Sequence, residues 1–260
     1  MQSSFPTIDV LANKIFCGVI VCELILVVIY WIDALTGSQF ETLHSLFDLD
    51  SEANIPAWFS SAQLLCVALA FWSRALCQPS RIHPSKTFFI LAGCAALYVS
   101  ADETAQIHER VTWWMGRRYV DWLPALAVKN FWLVMIAVAV LVAICQLLAH
   151  DLIATWRDNR RLALLAAFGI GIGLGGGMGV ETIGYEIFHG PSTSLWYKAE
   201  VTLEEFMEMF GASLILFSAL KFNAGDTIEL ACAKIQRRTP TRVSSAIIKA
   251  AQSASGAHSR

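Results

Sequence analysis

Residues 88–109 read FFILAGCAALYVSADETAQIHE, an apolar run that turns acidic before it is long enough to cross a membrane. The uninterrupted apolar part, Phe88 to Val99, is twelve residues. At about 1.5 Å of rise per residue it covers about 18 Å, well short of a ~30 Å hydrocarbon core. A span that begins after Lys86 must therefore carry Ser100, Asp102 and Glu103 within the outer part of the bilayer. Charge at that depth costs several kcal/mol per group unless it is paired, hydrated or bound to a metal.

The rest of the chain supports a membrane setting. Of its 260 residues, 56% are hydrophobic and 15% charged, against about 25% charged in soluble domains. Six segments can span, near 15–35, 57–77, 87–107, 129–149, 162–182 and 201–221, each close to the ~20 residues a bilayer requires. This predicts an all-α polytopic helix bundle over 1–222, followed by a basic tail over 223–260. The first span follows a polar stretch without a small-residue cleavage site and reads as a retained helix. Arg74, Arg81 and Lys86, then Arg157, Arg160 and Arg161, then Lys221, Lys234, Arg237, Arg238 and Arg242 fall on one side of six spans. That side is expected to be cytoplasmic, with both termini inside. Arg110, Arg117, Arg118 and Lys129 on the other side weaken the bias without reversing it. The tail has short amphipathic stretches suited to an anionic inner leaflet, with disorder expected beyond residue 252. The seven cysteines, none in a CxxC, read as small apolar packing residues and not as a disulfide framework.

Helix rise turns sequence distance into depth. Counted from Lys221, Glu208 lies about 20 Å up the last span, and Glu205 and Glu204 about 24 to 26 Å. Counted from Lys86, Asp102 and Glu103 reach about 24 to 26 Å, and Glu181, counted from Arg161, about 30 Å. Three helices thus deliver acids to one outer layer. Glu204 and Glu208 share a helix face, and Glu205 and Glu208 can converge. Asp102, Gln106 and Glu109, at i, i+4 and i+7, line one face of the third span. Glu103 and His108 can serve one site only if that helix loosens near its end. Glu23, mid-way along the first span, marks a proton-binding or helix-pairing role.

Two further stretches bear on this layer. GIGIGLGGGMG (169–179) forms two small-residue ridges, Gly169/Gly173/Gly177 and Gly171/Gly175/Gly179, that let helices approach closely. It lies inside an apolar span with no lysine after it, so it is not a phosphate loop. In LFDLDSEANIPAWFSS (46–61), Asn54 reads as a helix cap and Pro56 as a first-turn residue. Phe47, Leu49 and Trp58 read as interfacial anchors. Asp48, Asp50 and Glu52 alternate as in calcium loops but lack the glycine and downstream glutamate of that signature. They read instead as an acidic flap over the layer.

Carboxylates with a single histidine suit calcium, manganese or iron better than zinc, whose catalytic sites favour imidazole. The candidate ligands are Asp102, Glu103, His108, Glu181, Glu204, Glu205 and Glu208, and His108 and Glu109 are the candidate general acid and base. Di-iron bundles pair glutamates with Glu-x-x-His motifs on facing helices. Here the spacing departs from that pattern, so the likeness is one of ligand type.

LFDLDSEANIPAWFSS, YVSADETAQIHE and VTLEEFMEMFG, with their DExxxxHE and LEExxE acids, resemble segments of a broad group of uncharacterised six-span bacterial membrane proteins. The resemblance spans most of residues 40–220. It implies a six-helix fold and an inner-membrane location, and carries no activity with it. Two active readings follow from the residues: a metal-dependent hydrolase or oxidoreductase acting on a lipid-like or apolar substrate at the outer leaflet, and a proton- or cation-coupled transporter using the same acids. A third is a non-catalytic subunit packing through its glycine ridges in a homo-oligomer or membrane complex. The partners implied are membrane lipid and an apolar small molecule; no basic groove with interleaved aromatics points to nucleic acid. The topology predicts that cysteines introduced at Ser194 and Ser244 label from opposite sides of the membrane with an impermeant maleimide. Labelling of both from the same side would overturn it.

Overall fold

The computed structural model describes residues 8–78, 84–107, 110–111, 113–114, 138–139, 142–144, 146–180 and 194–238, which are helical with short connections and contain no strand. In chain order the helices are α1 (Ile8–Leu35), α2 (Glu41–Phe47), α3 (Ile55–Cys77), α4 (Lys86–Ala105), α5 (Ala149–Asp158), α6 (Arg160–Leu174) and α7 (Leu195–Arg238). Gly175–Val180 extends α6 in the wider π-helical form. Among the described residues three helices are long and apolar enough to cross a membrane, Asp9–Leu35, Ile55–Cys77 and Lys86–Ala105. Their outward faces are rich in Leu, Ile and Val, among them Leu24, Ile25, Leu69 and Ile90, as lipid requires. The expected fourth span lies largely outside the described residues. Chain contacts divide the molecule into 1–222 and 223–260. In the second unit, Asn223–Arg238 is helical, so the last helix runs well past the expected end at 221.

Local signals start the helices where the sequence predicts. Asn54 caps α3, its side-chain oxygen accepting from Ala57 N–H at 3.1 Å, with Pro56 in the first turn. Ser85 caps α4 through Phe88 N–H at 3.1 Å, and is itself held by Asp151 of α5, which accepts from Ser85 N–H at 2.7 Å and from its hydroxyl at 2.8 Å. α3 and α4 run antiparallel. Ser61 and Ser100 donate to each other's carbonyls at 2.7 and 2.8 Å near one end. Near the other, Gly93 leaves room for the Trp72 ring.

α7 is the hub of the first unit. Phe217 meets Phe16 of α1 with ring centroids 4.8 Å apart. Leu26 and Tyr30 of α1, Leu49, and Val201 and Met209 of α7 form one buried cluster. Against α6 the approach is closer still. A Cβ on Gly211 would stand 2.6 Å from the Gly169 carbonyl and 2.8 Å from Gly173 N, and one on Gly176 would stand 2.8 Å from the Glu204 carbonyl. The Gly169/Gly173/Gly177 ridge therefore faces α7. In the second expected ridge an added Cβ on Gly175 would stand 3.3 Å from Met207 of α7, whereas one on Gly171 or Gly179 would meet nothing within 4 Å among the described residues.

Three more expectations change. Cys17, Cys22, Cys66, Cys77 and Cys94 are free but exposed on the helix surfaces, not packed inside. Lipid is as apolar as a core, so composition does not assign the side. Leu49 is buried with Phe47 packed on it, so neither is an interfacial anchor, whereas Trp58 is exposed. α4 stops at Ala105 because Gln106 adopts a left-handed conformation (φ 52°), its N–H bonding to the Asp102 carbonyl at 2.8 Å. That break removes the single helical face expected for Asp102, Gln106 and Glu109.

The glycine packing yields a paired prediction. Gly211→Leu should destabilise the bundle by about 1–3 kcal/mol through overpacking, read as a lowered Tm in detergent. Gly171→Leu should leave Tm unchanged. Equal effects of the two would refute the assignment of the α6 face that meets α7.

Candidate functional site

At one end of the unit α4, α7 and the loop before α3 bring their acids together. Glu103, in the last turn of α4, is hydrogen-bonded through its side chain to Glu208 of α7. Glu205 interacts with Glu103, Glu204, Glu52 and Asp50, in falling order of strength. All of these except Asp50 are half-buried. α7 can present its acids here because α6 supplies glycines beneath them: Gly177 faces the Glu208 carboxyl and Gly176 the Glu204 backbone. The π-helical turn at Gly175–Val180 sits at this contact, a form of helix that recurs at functional sites. Two of the acids that helix rise assigned to one layer, Glu103 of α4 and Glu208 of α7, thus meet. Glu103, not Asp102, is the α4 carboxyl that bonds to Glu208.

The flap at 48–54 joins the layer from above. Asn54 donates to the Asp48 carbonyl while capping α3, which fixes the loop, and Ala53 takes a left-handed φ of 65°. Tyr197, in the first turn of α7, donates to both carboxylate oxygens of Asp50 at 2.9 Å. Lys198 stands over the Tyr30 ring, 5.2 Å from its centroid, and is a basic side chain at this acidic end.

A second group adjoins the flap. Asp33, 3% exposed at the end of α1, accepts from Ser38 Oγ at 2.9 Å and meets His44 Nδ1 at 2.8 Å. His44 Nε2 lies 3.9 Å from Asp48. His44 is an imidazole oriented by a buried carboxylate. Nothing in the sequence marks the pair, because it depends on the turn at Gly37 (φ 76°) and Ser38 (φ 51°) and has no periodic signature.

Of the expected metal ligands, Asp102, Glu103, Glu204, Glu205 and Glu208 are described and lie at this end. His108 and Glu181, and the candidate acid/base residue Glu109, fall outside the described residues. Among the described residues no group of three or more His, Cys, Asp and Glu side chains is arranged to hold a metal ion. Glu103 and Glu208 form a pair, not a closed ligand set.

Helices long enough to span, closed around half-buried acids, define an α-helical membrane protein with a carboxylate layer. The chain belongs to a family described as a domain of unknown function, DUF8692, which matches residues 17–222 and so takes in every acid of the layer. No curated protein and no solved structure matches it.

Burial pushes the Tyr197 phenol up, and its hydrogen bond to Asp50 and the neighbouring acids push it further. Because the folded group ionises above the ordinary tyrosine value of about 10, its stabilising contact is intact below that pH and is lost as pH rises through the folded value. An ultraviolet titration of wild type minus Tyr197→Phe should show one phenol ionising above the ordinary tyrosine range. A difference spectrum that titrates near 10 would contradict the Tyr197–Asp50 contact.

Proposed function

We propose that the chain is a six-span protein of the bacterial inner membrane, both termini cytoplasmic, whose acid layer lies near the outer leaflet. There it binds a divalent metal, iron, manganese or calcium, and acts as a hydrolase or oxidoreductase on a lipid-like or apolar substrate. The observation that carries this reading is the meeting of Glu103, Glu205 and Glu208 from two helices, with Glu52 from the flap. Like charges packed away from bulk water need a neutralising cation or protons. An all-oxygen donor set suits a hard cation. His108 and Glu181 are the residues that would extend the Glu103–Glu208 pair to a full set. A bound metal would supply a Lewis acid at the layer.

The substrate class rests on a neighbouring groove. Leu24, Val27 and Trp31 of α1 and Thr202, Leu203 and Phe206 of α7 line an apolar groove of about 330 Å³. It shares its α7 turns with Glu204 and Glu205, and its volume is near the lower end of ligand sites, enough for a length of acyl chain.

One observation favours a second reading. A hydrogen bond between the Glu103 and Glu208 carboxyls requires a proton on at least one of them. Acids that share protons without a metal are what a proton-coupled carrier uses. Elemental analysis separates the two. The enzyme reading expects wild type to carry a stoichiometric metal, Glu208→Ala and His108→Ala to lose most of it, and chelator to lower the wild-type Tm, as mass action requires. Wild type without bound metal and indifferent to chelator would end that reading and leave the carrier.

A further inference from the structure

A second polar group lies deeper, where the metal reading gives it no part. Glu23 of α1 is fully buried (0% exposed), with Gln63 of α3 at 4% and Ser213 of α7 at 1%. Ser213 follows Glu208 by five residues on α7, so the group sits about 7–8 Å further along that helix than the acid layer. Glu23 is fifteen residues from the start of α1 and twelve from its end, which puts it near the middle of the span.

The hydrogen bonds can be counted atom by atom. Glu23 Oε1 accepts from Gln63 Nε2 at 2.7 Å and from Ser213 Oγ at 2.6 Å. The second Gln63 N–H goes to Ser213 Oγ at 3.0 Å. Those three contacts use both amide hydrogens and the hydroxyl hydrogen, every donor the three side chains own. Two buried oxygens are left without a partner, Glu23 Oε2 and Gln63 Oε1. An ionised Glu23 would leave a bare anionic oxygen in an apolar bundle, the most costly arrangement open to it. A proton on Oε2 removes that charge and adds a donor to a group whose other donors are all used. The opposite orientation of the Gln63 amide leads to the same end, since its carbonyl would then face the Glu23 carboxyl and require a hydrogen from it.

We infer that Glu23, Gln63 and Ser213 form a proton-binding site in the middle of the bundle, with the exchangeable proton on Glu23 Oε2. The groups that meet Glu23 from the helices packed on it, Gln63 and Ser213, are not titratable, so the acid itself is the proton acceptor. The site is independent of any metal at the acid layer. Its place one and a half turns along α7 from Glu208 makes it an inner station for protons reaching that layer. A carboxyl that served only to pair helices would keep its proton for as long as the bundle stayed folded, which separates the two roles experimentally.

The test is infrared difference spectroscopy of wild type minus Glu23→Gln in liposomes at neutral pH, in potassium buffer, followed after transfer to D2O. Glutamine keeps the shape of the protonated acid and supplies an N–H in place of its O–H, so the variant is expected to fold with an unchanged Tm. Should it not fold, Glu23→Asp gives the assignment instead, by moving the same band. The expected result is a carboxylic acid C=O band from Glu23 that shifts in D2O within minutes, while the α1 backbone amides around it remain unexchanged. No such band in wild type would show an ionised Glu23 and overturn the site. A band that shifts only as those amides exchange would show a proton locked in by the fold, and would overturn it equally.

Discussion

The arrangement depends on one constraint: α7 carries Glu204, Glu205 and Glu208 on a helix that must also fit among apolar neighbours. Such a helix cannot face lipid all round, and the structure surrounds it. α1 covers it through Phe16, Leu26 and Tyr30, α3 through Gln63, α4 through Glu103, and α6 through a face with no side chains at all. The glycines matter most. With Gly211 against Gly169 and Gly173, the two backbones approach so closely that Gly176 and Gly177 come to lie under the acids. Any side chain larger than hydrogen there would hold α6 and α7 apart and open the acid layer to lipid.

The parts of this that were legible in the sequence follow from fixed helix geometry. A constant rise per residue put Glu103 in one layer with Glu204 and Glu205, and Glu208 about one turn below them, before any contact was known. Asn54 announced its helix start because a cap needs only a short polar side chain at one position. What was not legible depends on rotation about helix axes and on single backbone conformations. Nothing in the DETAQIHE spacing marks Gln106 as the left-handed residue that ends α4, since glycine or asparagine is the usual occupant of that conformation. The Asp33–His44 and Tyr197–Asp50 pairs join residues 11 and 147 positions apart through loops. Of the second glycine ridge only Gly175 meets α7 among the described residues, for a related reason: a helix rich in glycine offers two close-packing faces, and only the partner selects one.

Read along α7, the polar groups meet three different kinds of neutralisation. At its start, Tyr197 holds an exposed Asp50 that water can also reach. About two to three turns further, Glu204, Glu205 and Glu208 are half-buried and lie against other carboxyls, an arrangement that calls for a shared proton or a cation. At Ser213 the partner is fully buried Glu23, whose neighbours can donate hydrogen bonds but carry no opposite charge. Solvent access falls along this series, and the means of neutralisation change with it. Past Ser213 the helix buries Leu214, Leu216 and Ala219, and charge returns only at Lys221, paired with Asp9. The acids that meet α7 therefore enter from one end of the bundle and stop near its middle, at Glu23. A series that is open at one end only suits a site that exchanges protons or ions with a single side. A carrier would in addition need a polar route from Glu23 to the Asp9–Lys221 end, and along that interval α7 offers one polar side chain, Ser218, whose hydroxyl donates to the Leu162 carbonyl.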